Sequence, residues 1–292
     1  MKDFSVKLGS LQLKTPFMLA SGTWGIGDTL EKYFTTEEVA TSIGALVTKG
    51  VSLDPMPGNP PPRLYETPCG LINSIGLENP GVKKFKEVYL PRLKKFGVPV
   101  IVNIHSESPE GFLKLLKNLN PEEVDGIEVN ISCPNVKKGG IAFSSDPKVV
   151  KELIREVREL WGAFLMVKLS PVGPVYEVAK VCEECSVDAI TLANTYPALG
   201  VIGLKPFKVI KGGLSGPAIK PLTLRLVFEL SQSLKVPIVG CGGIMSGRDA
   251  WEYLCCGAKA VQVGTANLID PRAVLRIFKE FVELGEKYGT CN

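Results

Sequence analysis

The chain predicts a (β/α)8 TIM barrel, and three observations carry that prediction. Eight short runs rich in Val, Ile and Leu recur, a helix-type segment follows each, and 292 residues suit one such barrel. The runs are nearly continuous in apolar residues rather than alternating, which is the pattern of parallel strands buried on both faces. A doubly wound sheet is the alternative, but it would be large for this length. The whole chain, 1–292, reads as a single domain, with no boundary or repeat beyond the strand–helix alternation.

Phe4-Ser5-Val6-Lys7-Leu8 and Leu11-Gln12-Leu13 read as a small N-terminal hairpin capping the barrel bottom. The strand candidates then follow at Phe17–Ser21, Ala45–Lys49, Pro99–Ile104, Gly126–Ser132, Phe164–Leu169, Ala189–Asn194, Pro237–Cys241 and Ala260–Gly264. Helix candidates lie at Thr29–Ala40, Gly81–Lys95, Pro109–Leu119, Pro147–Trp161, Val175–Glu184, Pro221–Ser233, Gly247–Cys256 and Pro271–Tyr288. Several open on a proline in the first turn or on a polar cap such as Ser108 or Asp146. In the fourth helix, Val149, Val150, Leu153, Ile154, Val157 and Leu160 recur at helical spacing. Residues 50–80, 133–146 and 195–220 are long active-site loops, all at the carboxyl ends of strands, where barrels build their sites.

Composition narrows the function. A net charge of +4 with no dense Lys/Arg cluster gives no case for nucleic acid. No run of 18 apolar residues suggests a membrane span, and the first residues lack a signal-peptide core, so a cytoplasmic location is expected. In that compartment the eight cysteines are expected as free thiols rather than a disulfide framework.

The residues that end the strands point to the chemistry. They are Ser21 on the first strand, Lys49-Gly50 on the second, Asn103 on the third and Asn130 on the fourth. Lys168 and Ser170 follow on the fifth, Asn194-Thr195 on the sixth, Gly242-Gly243 on the seventh and Gly264-Thr265 on the eighth. Neither His, Asp nor Glu stands among these strand-end residues, and the chain has one histidine, His105. A His–carboxylate metal site and a Ser-His-Asp triad are therefore not expected. Amides and lysines without a carboxylate suit a planar, anionic ligand, because Asn both donates and accepts and Lys stabilises developing negative charge. Glycine turns after strands seven and eight suit a phosphate. Cys133, in Asn130-Ile131-Ser132-Cys133-Pro134-Asn135, follows a buried strand and precedes a proline, so it is placed on a loop as a candidate proton-abstracting group.

Several stretches resemble class 1 dihydroorotate dehydrogenases, subtype B. They are Gly58-Asn59-Pro60-Pro61-Pro62-Arg63 with Glu66-Thr67-Pro68, and Asn73-Ser74-Ile75-Gly76-Leu77-Glu78-Asn79-Pro80-Gly81. Asn130-Ile131-Ser132-Cys133-Pro134-Asn135-Val136, Ala193-Asn194-Thr195 and Gly212-Gly213-Leu214-Ser215-Gly216 add to them. The resemblance implies an FMN-dependent barrel, one FMN per chain, that oxidises dihydroorotate to orotate in UMP synthesis. It makes Cys133 the base and gives substrate contacts to Lys49, Asn73, Ser74, Ile75, Gly76, Leu77, Asn130, Asn194 and Thr195. It gives FMN contacts to Ser21, Lys49, Gly50, Asn103, Asn130, Lys168, Ala193 and Gly216, with Gly242, Gly243, Gly264 and Thr265 around the phosphate. Lys168 would lie beside the pyrimidine end of the flavin. Cysteine rather than serine at position 133 separates the chain from the membrane-associated class.

Subtype B implies a partner subunit carrying FAD and a [2Fe-2S] cluster that passes electrons to NAD, around a homodimer core of a heterotetramer. The chain has no iron–sulfur motif of its own. The competing readings are an enzyme for another reduced pyrimidine such as dihydrouracil, a fumarate-linked subtype A enzyme, a non-catalytic flavin relay, and a barrel aldolase using Lys168 as a Schiff base. Blander roles stand beside the sharper ones. Cys182-Glu183-Glu184-Cys185 is read as structural or surface, Cys255-Cys256 as packing residues, Cys241 as a small core residue near the flavin phosphate, and His105 either as a ligand contact or as a satisfied core or loop histidine. Asn59, Arg63 and Glu66 are read as ordering their loop, with an Arg63–Glu66 ion pair.

Overall fold

The computed structural model describes residues 3–132 and 146–289. Cys133 and most of the loop after the fourth barrel strand lie outside them.

The strands, in chain order, are β1 (Val6–Leu8), β2 (Leu11–Leu13), β3 (Phe17–Leu19), β4 (Ala45–Val47), β5 (Leu64–Thr67), β6 (Gly70–Asn73) and β7 (Val100–Ile104). They continue as β8 (Gly126–Asn130), β9 (Phe164–Lys168), β10 (Ala189–Leu192), β11 (Tyr196–Leu204), β12 (Phe207–Ser215), β13 (Ile238–Cys241) and β14 (Ala260–Val263). Eight of them close a parallel barrel in the order β3-β4-β7-β8-β9-β10-β13-β14. Each lies within the run the sequence assigned to it. The (β/α)8 expectation therefore holds.

Apolar runs become barrel strands because each buries both faces, one toward the axis and one toward the helices. The outward face packs under the helices: Phe17 of β3 meets Phe278 and Phe281 edge-on at ring distances of 5.4 and 5.1 Å. The inward face builds a separate core from Met18, Ala45, Val47, Ile101, Phe164, Met166, Ala189, Val239 and Ala260. The β1–β2 hairpin, paired Val6 to Leu13, adds Leu8 and Leu13 to that inner cluster, so it plugs the bottom of the barrel as expected. Burying each of the larger of these side chains, such as Met18, Ile101, Phe164 or Leu13, is worth about 1.5–3 kcal/mol.

The helices follow the capping signals. Ser108 accepts from the Gly111 N–H, and Asp146 accepts from the Lys148 N–H. The segment expected as one helix over 29–40 is instead a short turn at Leu30–Lys32 and a helix at Thr36–Ser42. Thr35 and Glu38 form a reciprocal capping box that starts the second piece afresh. The segment expected over 81–95 carries a π-helical turn at Phe85–Tyr89 between Gly81–Lys84 and Leu90–Lys94.

Two regions expected as loops are sheet. Within 50–80 and 195–220, the strands β5, β6, β11 and β12 form a four-stranded antiparallel sheet in the order β11-β12-β6-β5. Its central pairing sets Asn73 against Gly213, 140 residues apart in sequence.

The cysteines also differ from expectation. Cys69, Cys182, Cys185, Cys241 and Cys256 are free, but Cys255 is disulfide-bonded. Cys255 is exposed at the end of the helix Gly247–Cys255, where a thiol can reach another, whereas Cys182 is sealed in the core.

Candidate active site

The carboxyl ends of the barrel strands open into a cavity of about 240 Å³, walled on one side by the antiparallel sheet. Sixteen residues singled out from the sequence line it: Ser21, Lys49, Gly50, Asn73, Ile75, Gly76, Leu77, Asn130, Lys168, Ala193, Asn194, Thr195, Gly242, Gly243, Gly264 and Thr265. Ser74, Asn103 and Gly216 stand just outside the lining. Ser74 faces Asn59, whose Nδ2 donates to the Ser74 carbonyl and hydroxyl at 3.1 Å. Asn103 lies beneath, fully buried, and Gly216 sits behind Thr265. Sequence reasoning missed Ala20, Gly22, Thr23, Leu64, Ser215, Ile219 and Leu268 as lining residues. Being apolar or small, they carried no chemical signal beyond their adjacency to the strand ends.

One network fixes the segment leading into Cys133. Asn130 Oδ1 accepts from the Ser132 N–H at 3.2 Å and from its hydroxyl at 2.9 Å. Asn194 Nδ2 donates to the Ser132 carbonyl at 3.2 Å and hydroxyl at 3.0 Å, while its Oδ1 accepts from the Thr195 N–H at 2.8 Å. Two strand ends, β8 and β10, are thereby tied together at the residue before Cys133.

The lysines are held differently. Lys49 is partly buried, and burial pushes its ammonium down, opposed by Glu78 and reinforced by Arg63. Glu78 is shared: Arg63 Nη1 reaches it at 2.7 Å and Lys49 Nζ at 3.9 Å. The expected Arg63–Glu66 pair is thus replaced by Arg63–Glu78, because β5 and β6 carry Glu66 away along the hairpin. Lys168 is buried, with Nζ 3.4 Å from Gln262 Oε1 and 4.0 Å from Cys241 Sγ. Cys241 is therefore a cavity residue beside this lysine, not only a core filler.

Among the described residues no His, Asp or Glu lines the cavity, as the strand ends led one to expect, but a carboxylate lies beneath it. Glu128, two residues before Asn130, is completely buried on the barrel axis and accepts from Asn103, Thr191 and Gln262. Sequence reasoning passed over it because it sits inside an apolar run, and only the strand's two-residue period shows that it points inward with Asn130.

His105 is buried against Phe112 with neither ring nitrogen hydrogen-bonded, so it is not a satisfied core histidine. Burial pushes it down to about 4, against a weak pull from the Asn130 backbone. Cys182 and Cys185 lie at the end of the helix Val175–Glu184, outside the cavity lining, and Cys185 Sγ contacts the Lys151 carbonyl.

The cavity suits a planar polar ligand with a phosphate tail. Asn103 Oδ1 is a buried acceptor without a partner beneath it, 3.1 Å from where a Gly50 Cβ would stand. Gly243 has φ +65°, and a Cβ there would fall 2.6 Å from Lys220 and 2.8 Å from the Gly216 carbonyl. Only glycine fits, leaving backbone N–H groups open to an anion. Among the described residues no cluster of three His, Cys, Asp or Glu side chains could hold a metal, and no helix is long and apolar enough to cross a membrane.

A parallel barrel with this amide- and lysine-lined pocket and glycine turns after its last two strands is of the class of barrels that build their site at the carboxyl ends of the strands. The dihydroorotate dehydrogenase family model matches residues 4–284, and the chain belongs to that family. It is 44% identical over 281 residues to the dihydroorotate dehydrogenase B (NAD(+)) catalytic subunit of Thermoanaerobacter pseudethanolicus, covering 95% of this chain and 92% of the relative. It is 46% identical to the protein of the same description from Geotalea uraniireducens, covering 99% and 95%. With the counterpart from Geobacter sulfurreducens, identity is 44% over 283 residues.

Proposed function

We propose that this chain is the catalytic subunit of an NAD-linked dihydroorotate dehydrogenase. It oxidises dihydroorotate to orotate in de novo UMP synthesis, as one barrel domain spanning 1–292. The observation that carries the reading is the convergence of Asn73, Asn130 and Asn194 with Lys49 and Lys168 in one cavity, at the point where the chain enters Cys133.

In this reading the amides of Asn73, Asn130 and Asn194 match the alternating donors and acceptors of the pyrimidine ring. Lys49, the segment Ser74-Ile75-Gly76-Leu77 and Thr195, which packs against Gly213 of β12, hold the substrate from the sheet side. Cys133, as thiolate, removes the proton from the ring carbon beside the carbonyl; a thiol does this near neutral pH far better than a hydroxyl. FMN, when bound, supplies the two-electron acceptor for the hydride from the carboxylate-bearing carbon. Ser21, Lys49, Gly50, Asn103, Asn130, Ala193 and Gly216 would hold it, Gly242, Gly243, Gly264 and Thr265 would grip its phosphate, and Lys168 would stand at its pyrimidine edge. The orphaned Asn103 Oδ1 and the Gly243 turn support this fit.

Electrons then leave through a partner subunit carrying FAD and a [2Fe-2S] cluster to NAD. The chain forms the homodimer core of a cytoplasmic heterotetramer. The names of the relatives, catalytic subunits of NAD(+) enzymes, support the partner.

Anaerobic mixing of the flavin-loaded protein with dihydroorotate tests the reading. Bleaching by dihydroorotate and not by dihydrouracil is expected. No bleaching in a protein that binds FMN would overturn the substrate assignment.

A further inference from the structure

A buried acid lies beneath the cavity, one amide away from Lys168, and the proposed mechanism gives it no part. Glu128 accepts hydrogen bonds from Asn103 Nδ2 at 2.6 Å, Thr191 Oγ1 at 2.8 Å and Gln262 Nε2 at 2.7 Å. Gln262 turns its other end, Oε1, toward Lys168 Nζ at 3.4 Å. The orientation of that amide follows from its neighbours. A carboxylate only accepts and an ammonium only donates, so the amide must give its NH2 to the first and its oxygen to the second. None of the described ion pairs joins Lys168 to Glu128, so the amide is the link between them.

We propose that Glu128 is a positioning residue for Lys168: acting through Gln262, it keeps the ammonium charged and fixed at the cavity wall. This rests on the reading that the cavity binds a flavin whose pyrimidine edge faces Lys168.

An ammonium withdrawn from water tends to lose its proton unless a negative charge accompanies it. The titratable groups facing Lys168 are Cys241 on β13 and Glu128 on β8. β10 and β14 present neutral Thr191 and Gln262, β7 presents neutral Asn103, and Lys49 enters the same cavity from beyond β4. Burial pushes Lys168 down, Cys241 and Glu128 pull it up, and the net direction is upward. Burial also pushes the Cys241 thiol up, and Lys168 pulls it down. Glu128 differs from Cys241 in its setting: it accepts from three donors and is tied to Lys168 through the Gln262 amide.

The test is the flavin midpoint potential followed against pH, in the holoenzyme and its variants. The slope counts protons taken up with each electron pair. In the unsubstituted protein Lys168 stays charged, and the slope corresponds to about one proton from pH 8 to about 10. In Glu128→Gln the lysine loses its proton early and regains it on flavin reduction, so the slope steepens to about two protons per pair within that range. Gln262→Met, which breaks the link and keeps the carboxylate, gives the same steepening and serves if Glu128→Gln does not fold. The double variant Glu128→Gln/Lys168→Arg returns to the shallow slope, because a guanidinium does not titrate there. Adding Cys241→Ser to Glu128→Gln leaves the steep slope in place; a return to the shallow slope would assign the proton to Cys241 and overturn the proposal. A Glu128→Gln or Gln262→Met protein that binds FMN yet keeps the shallow slope would also overturn it. Failure of the unsubstituted protein to quench FMN fluorescence would bring down the flavin reading itself, a distinguishable result.

Discussion

The lower and upper layers of the barrel interior are built from the same eight strands and have opposite chemistry. Below, Met18, Ala45, Val47, Ile101, Phe164, Met166, Ala189, Val239 and Ala260 form a wholly apolar layer sealed by Leu8 and Leu13. Above, two residues further along several of the same strands, stand Asn103, Glu128, Lys168, Thr191, Gln262 and Cys241. The strand period of two places both sets on the axis. One layer holds the barrel together, and the other spends part of that stability on placing charge beneath a cavity. If this division is right, substitutions in the two layers should separate stability from activity.

Lys168→Met gives the sharpest test. It removes the cation facing the proposed flavin edge and replaces a buried charge with an isostere of similar length. Loss of one preorganised electrostatic group costs about 10²–10³ in rate. The rate of flavin reduction by dihydroorotate, measured by anaerobic stopped flow, is expected to fall by that factor. The unfolding free energy is expected to fall by less than the about 3–5 kcal/mol of a broken buried pair, because relief of the lysine's desolvation and the three donors left on Glu128 offset the lost charge. A large stability loss with an unchanged rate would erase the division between the layers.

The converse is Leu13→Ala in the plug. Leu13 is fully buried against the lower layer, and truncation leaves a cavity costing about 3 kcal/mol. Urea unfolding should register that loss, while the rate of flavin reduction per folded molecule stays unchanged.

The two layers also differ in how legible they were. The strands and the plug could be read because continuous apolar runs and the Leu8 and Leu13 hairpin are local signals. The strand-end residues could be read for the same reason: they are polar groups where an apolar run stops. Glu128 could not, because within Gly126–Asn130 its side of the strand is decided by register against β7 and β9. The antiparallel sheet was hidden in the Pro- and Gly-rich stretches: its two hairpins, β5–β6 and β11–β12, are local, but the pairing of β12 with β6 that joins them spans 140 residues, and no local pattern specifies a partner that distant. Arg63 found Glu78 rather than Glu66 for the same reason, since the turn between β5 and β6 decides which carboxylate it meets.

The smallest effect concerns acid, to which the two layers of the barrel interior should respond differently. The lower layer is apolar throughout, whereas His105, buried next to the segment that carries Asn103, has its imidazole pushed by burial down to about 4 from an ordinary 6.5. A histidine with a depressed folded-state pKa binds its proton more readily in the unfolded chain. Its contribution is therefore fully present above about 6.5 and is lost as pH falls from there to about 4. A shift of this size corresponds to about 3 kcal/mol as an upper bound, and relaxation around the ring reduces it, so roughly 2 kcal/mol is the expected loss. Urea midpoints measured at intervals between pH 7 and about 4 should show it, and His105→Phe should flatten that part of the curve. A His105→Phe protein as acid-sensitive as the parent would assign the acid-labile group elsewhere, with Asp249, whose carboxyl burial pushes up but Lys220 and the Met245 N–H hold low, the next to substitute.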